Sequence, residues 1–189
     1  MSRAEQNVAG NAEGRRPGLL ARWHRDARGV TAVEFAMVAM PFLMMLFGII
    51  GVGLYFFTTF TLENAVEQAS RLLRTGQAQV ANYTADQFKA KVCEYVPGHI
   101  DCVGKVRVNV KSYADTTNIT ADSLPRCLNN GGLSNASEFD MGGASEVVLV
   151  WVCYEWDLAG KIPFLRLGDM SNGSRLIQAT TVFRSEPFN

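Results

Sequence analysis

The 189 residues carry a formal net charge of +0 and a mean hydropathy of +0.03, averages that by themselves describe an ordinary soluble protein with room for one domain. Two asymmetries lie beneath those averages: the 28 residues from Phe35 to Leu62 hold no charge, and the first 29 residues carry six arginines against three acids, an excess of +3 that the remainder balances with −3. Nucleic-acid binding is excluded as the main role, because the large C-terminal part is net acidic.

Residues 1–29 are polar, rich in Gly, Ala, Asn and Arg and broken by Pro17, and read as a basic leader without a packed core. From Val30 to Thr61 the chain is apolar all round. A bilayer core of about 30 Å needs about 20 helical residues, so this stretch is long enough to span. Basic residues flanking a span stay inside, which places the N-terminus in the cytoplasm and the rest of the chain outside. Within the span, Pro41 removes one helix hydrogen bond and predicts a kink or melted turn. Gly48, Gly51 and Gly53 offer small surfaces for close helix packing, or are simply tolerated there. Tyr55, Phe56, Phe57 and Phe60 mark an outer interface belt, or more span.

Residues 62–76 change pattern. Leu62, Ala65, Val66, Ala69, Leu72 and Leu73 recur at steps of three and four with charges between them, the signature of an amphipathic stem ending at Gly76. Thr84 can cap a second helix reaching about Glu94, ahead of Pro97. Val106, Val108 and Val110 alternate with polar residues, predicting a strand with one wet side. Glu146–Trp156 is apolar on both faces and reads as a central strand. Arg175–Arg184 follows an Asn172-Gly173 pair and predicts a hairpin-like return. Residues 77–189 therefore form an outer α+β domain with a small antiparallel sheet, interrupted by a Gly-, Asn- and Ser-rich loop over 115–145.

Cys93, Cys102, Cys127 and Cys153 all lie on the outer side, where thiols oxidise. An even count fits two disulfides, with unpaired buried thiols as the alternative; short loop closure favours Cys93 with Cys102 and Cys127 with Cys153 among three pairings. The spacing lacks the close Cys/His pairs of a zinc site. His99 would have to carry any triad in the outer domain, and beside Pro97 and Gly98 it reads as a loop residue. With no nucleophile elbow, phosphate loop or regular run of oxygen ligands, the chain is expected to be no enzyme and to hold no cofactor or metal.

The segment Arg28-Gly29-Val30-Thr31-Ala32-Val33-Glu34-Phe35 ends a basic leader in glycine and sets a carboxylate five positions later, just inside the apolar helix. An unpaired carboxylate at a membrane edge costs on the order of 1 to 3 kcal/mol. Cleavage after Gly29 would supply a partner, the new α-amino group of Val30 on the same or a neighbouring subunit.

This arrangement resembles the type IV prepilin signal, and the wider run resembles the TadE-like family of the tight-adherence (Tad) pilus machinery. Glu34 followed by Phe35, then Pro41 and the Phe47-Gly-Ile-Ile50 patch carry the likeness, which covers about Gly29 to Ser70; where family members often have an acid after the patch, this chain has Gly51. The resemblance implies a minor pilin or pseudopilin, cut after Gly29 by a prepilin peptidase that recognises Gly29, Val30, Glu34 and Phe35. It implies residence in the inner membrane with a periplasmic domain, and other pilin or pseudopilin subunits and the assembly machinery as partners in building a Tad/Flp pilus for surface attachment. The alternative is an uncleaved, membrane-anchored binding or adhesion protein.

Overall fold

A computed structural model describes residues 29–98, 100–120, 124–161 and 167–188. The leader, His99 and residues 121–123 and 162–166 lie outside the described residues. The chain divides into two compact units, Met1–Leu43 and Met44–Asn189.

The first element, α1, runs over Val30–Arg74 as one α-helix of 45 residues. Its bonds continue through Pro41, so the melted turn expected there does not form. A proline removes one bond of the ladder, and long helical stretches on both sides sustain the rest. In the described part of the first unit, the apolar side chains face outward, with Phe35, Met37 and Val38 all more than 70% exposed.

In the second unit the exposure becomes one-sided. Met44 to Leu54 still project outward, whereas Thr58, Leu62, Ala65, Val66, Ala69, Ser70 and Leu73 are buried. The hydroxyls of Thr58, Thr59 and Thr61 donate to the carbonyls of Leu54, Tyr55 and Phe57, which satisfies them inside the helix and lets the apolar character carry on past Phe57. Gly76, at φ +76°, turns the chain out of α1 after Arg74. A one-turn helix, α2 (Gln77–Val80), follows; four residues were too short to read from periodicity.

Helix α3 (Ala85–Glu94) begins where Thr84 predicts. Thr84 Oγ1 accepts from the Gln87 nitrogen at 3.3 Å and Gln87 Oε1 accepts from the Thr84 nitrogen at 2.8 Å, a reciprocal cap. Its Phe88 and Val92 are fully buried. Another single turn, α4 (Cys102–Lys105), is capped by the Asp101 carboxylate on the Gly104 nitrogen.

Strand β1 (Val106–Tyr113) pairs antiparallel with β4 (Val147–Trp156), which pairs antiparallel with β5 (Arg175–Arg184), so the sheet order is β1-β4-β5. The doubly apolar sequence takes the central place: Val148, Val150 and Val152 face α1 and α3, while Val147 and Leu149 pack on the other face with Tyr113, Ile119 and Leu124. Two short strands, β2 (Leu128–Asn129) and β3 (Gly132–Leu133), form a ribbon inside the long loop.

Two expectations need correction. The polar side of β1 is not wet throughout, because Asn109 is only 3% exposed. The long loop folds back on this edge: the Val110 nitrogen donates to the Glu138 carbonyl and the Asp140 nitrogen to the Val110 carbonyl, both at 2.8 Å, and Asn109 Oδ1 accepts from the Glu138 nitrogen. An edge strand with free backbone groups was covered by chain from far away in sequence. The Asn172-Gly173 turn also forms, but it does not join the strands. It closes a small loop in which the Gly173 nitrogen donates to Met170 and the Asp169 and Met170 nitrogens to Ser174, within a longer connection from β4 to β5.

Candidate membrane helix and processing site

The bond between Gly29 and Val30 falls at the boundary of α1, with Gly29 in a 3-10 turn and Val30 as the first α-helical residue. A Cβ on Gly29 would meet nothing within 4 Å. Val30 is 52% exposed and Phe35 74%. Glu34 is exposed as well, and makes no hydrogen bond or ion pair with any described residue. It stands four residues, about one turn, after Val30, and helical side chains lean back toward the N-terminus. An amine at Val30 would therefore be its nearest cation along the helix.

Among the described residues, α1 is the one helix long and apolar enough to cross a membrane. Its apolar segment is exposed all round, unlike the core helix of a soluble protein. Residues 29–71 match the family model described as TadE-like protein. Over these residues the helix is similar to TadE-like proteins. This match associates the chain with the Tad pilus machinery and fits a single-pass membrane anchor. No curated protein and no solved structure matches the chain.

Along the TadE-like helix the remaining motif residues take different places. Pro41 is exposed, Gly48 partly covered, Gly51 buried and Gly53 exposed with nothing within 4 Å of an added Cβ. The match stops at residue 71 and leaves the sheet domain uncovered.

Two disulfides, Cys93–Cys102 and Cys127–Cys153, use all four cysteines and form the pairing with the shorter loops. The first ties the end of α3 to α4. The second holds the long loop against β4. Asp157, just past β4, takes Lys161 at 2.8 Å and Lys105 at 3.1 Å. The hydrogen bond from Lys161 is the main reason its carboxyl lies below the usual carboxylate range.

An open cleft of about 230 Å³ beside α3 and β1 brings together Lys89, Arg107, Asn135 and Asp86. Burial, then the nearby Arg107 charge, lowers Lys89, whose ammonium donates to the Val103 carbonyl at 2.8 Å. The guanidinium of Arg107 is likewise engaged by Asn135 and by the Gly104 and Val106 carbonyls. These two cations brace loops. No group of three or more His, Cys, Asp or Glu side chains among the described residues is placed to hold a metal.

Sequence reading missed a cluster at the start of the second unit. Tyr55 packs on Trp156 with ring centroids 5.7 Å apart, and the Arg175 guanidinium lies 5.2 Å from the Tyr55 ring centroid. The available signal was the register itself: Trp156 ends β4, Arg175 begins β5, and antiparallel pairing sets them opposite each other.

Proposed function

We propose that this chain is a minor pilin or pseudopilin-like component of a Tad/Flp pilus, cut after Gly29 by a prepilin peptidase and needed for assembly of a fibre used in surface attachment. The observation that carries the reading is the coincidence of Gly29 with the helix boundary and of Glu34, without a partner among the described residues, one turn inside an exposed apolar helix. A peptidase needs its scissile bond accessible, and Gly29 has open space around it. An α-amino group, with a pKa near 8, is charged at neutral pH and would neutralise Glu34 among bundled helices.

On this reading the arginine-rich leader stays in the cytoplasm, the helix sits in the inner membrane, and the disulfide-bonded domain is periplasmic, where oxidation is favoured. Neighbouring pilin or pseudopilin helices pack against the glycine-bearing part of the helix around Gly48, Gly51 and Gly53. The role is structural and assembles rather than catalyses.

The deciding experiment is N-terminal sequencing and intact-mass analysis of membrane-extracted protein from cells with and without their prepilin peptidase. A start at Val30 that depends on the peptidase is expected. An intact leader in both strains would overturn the reading and leave an uncleaved, membrane-anchored binding or adhesion protein.

A further inference from the structure

Twenty residues counted from Phe35 end at Leu54, while the uncharged run continues to Leu62, so eight uncharged residues, three of them threonines, remain after a bilayer core of about 30 Å has been crossed. The outer domain packs on this surplus. Burial of α1 against the sheet sets in around Tyr55 and Thr58, whereas Phe56, Phe57 and Phe60 on the same turns remain 51%, 52% and 60% exposed. One side of the helix is thus covered by protein at a level where the other side still wants lipid. The part of the domain that meets the helix there includes Arg175, Leu167 and Trp156, the last only 4% exposed beneath Tyr55.

Arg175 is unusual in what it lacks. One Nη1 hydrogen bond goes to the Leu167 carbonyl at 3.0 Å, and the guanidinium stacks near Tyr55. No carboxylate pairs with it among the described residues; its Nε, shut off from solvent, has no acceptor there either, which leaves the Nη atoms to meet an incoming anion. A partly buried guanidinium with unused donors is costly unless an anion completes it, and its fork geometry suits a phosphate. Aromatic side chains with a polar edge and long cationic side chains are also the groups that settle at the headgroup layer of a membrane.

We infer that Arg175, set on Tyr55 and beside Trp156, binds the phosphate of an outer-leaflet phospholipid, so that the rim of the outer domain is seated in the headgroup layer. The inference rests on the helix being a membrane span, and it is independent of leader cleavage. The partner is the lipid surface itself, chosen over a soluble phosphate because the site is continuous with exposed apolar helix.

The full chain is reconstituted in vesicles of phosphatidylcholine and phosphatidylglycerol, with either Trp156 or Trp151 as the sole tryptophan, the others being replaced by Phe. Alkaline carbonate extraction first establishes whether the protein is integral; release by carbonate would sink the membrane reading itself. In integral protein, a nitroxide on the lipid headgroup should quench Trp156 at least twice as strongly as Trp151, which lies five residues earlier in β4. Equal quenching would show the rim standing clear of the bilayer and overturn the inference. Titration of detergent-solubilised full chain with phosphatidylglycerol, followed by native mass spectrometry, tests Arg175 directly. R175Q should lower lipid retention at least threefold while R175K keeps most of it, with both disulfides intact by mass. Undiminished retention in R175Q would remove Arg175 from the site.

Discussion

The main-chain nitrogen of Glu186 donates to the carbonyl of Arg74 at 2.8 Å, so chain beyond the last strand occupies one of the free carbonyls at the end of α1. The two residues also approach as an ion pair, with Arg74 Nε 3.7 Å from the Glu186 carboxylate. Two positions on, the Phe188 ring covers Gly76, so closely that a Cβ there would collide with it. The end of the stem is therefore closed by the end of the chain.

Gly76→Ala should destabilise the sheet domain for two separate reasons. Gly76 sits at φ +76°, where an L side chain costs about 1 to 2 kcal/mol, and the new methyl would also push Phe188 away. Denaturant unfolding should show a loss of about 2 to 3 kcal/mol in total. Adding Phe188→Ala to the variant should recover the part due to the collision and leave the backbone part.

Breaking the disulfides should have unequal effects. Chain-entropy arithmetic gives about 3.5 kcal/mol for the bond whose cysteines are 26 residues apart and about 2.7 kcal/mol for the one with separation 9. The pair Cys127→Ser with Cys153→Ser should also release the 115–145 loop from the sheet and expose it to limited proteolysis. Loss of Cys93–Cys102 should leave that loop protected. Protection of the loop in both variants would show that its contacts with β1 hold it instead.

Glycine substitutions separate folding from assembly. Space around Gly29 and Gly53 is open, so Gly29→Val and Gly53→Leu should leave the unfolding midpoint within about 0.5 kcal/mol of the wild type. Gly29→Val is nevertheless expected to block processing in immunoblots of membrane fractions, and Gly53→Leu to reduce piliation in electron micrographs. Glu34→Ala should insert normally and impair piliation. Full piliation with Glu34→Ala would discard the pairing of Glu34 with a processed N-terminus.

Acid should weaken the cluster around Asp157. Its carboxyl is held below the usual 3.8 chiefly by the Lys161 hydrogen bond, so the folded state binds this proton less readily than the unfolded chain. The contribution is present above the unfolded value and disappears as pH falls through the lower folded one. Wild type should therefore exceed Asp157→Asn in unfolding midpoint at neutral pH, and the gap should narrow below about pH 4. The effect is small because the side chain is 39% exposed and solvent screens the pair.

The nature of most elements was legible in the residues alone, since each rests on local rules. An uncharged run longer than a bilayer, a threonine followed three residues later by glutamine, and a strand apolar on both faces each state their environment without reference to distant chain. Glu34 and Gly29 stand out in the sequence by the same local rules, as a charge and a break at the edge of an apolar run. Tertiary structure decided where distant segments meet: that residues 134–140 cover the polar side of β1, that Glu186 and Phe188 close the stem at Arg74 and Gly76, and that Trp156 and Arg175 converge on Tyr55. Periodicity reports which face of an element is buried and never what buries it, because burial is a property of the partner surface, and pairing over more than a hundred residues leaves no trace in either local sequence.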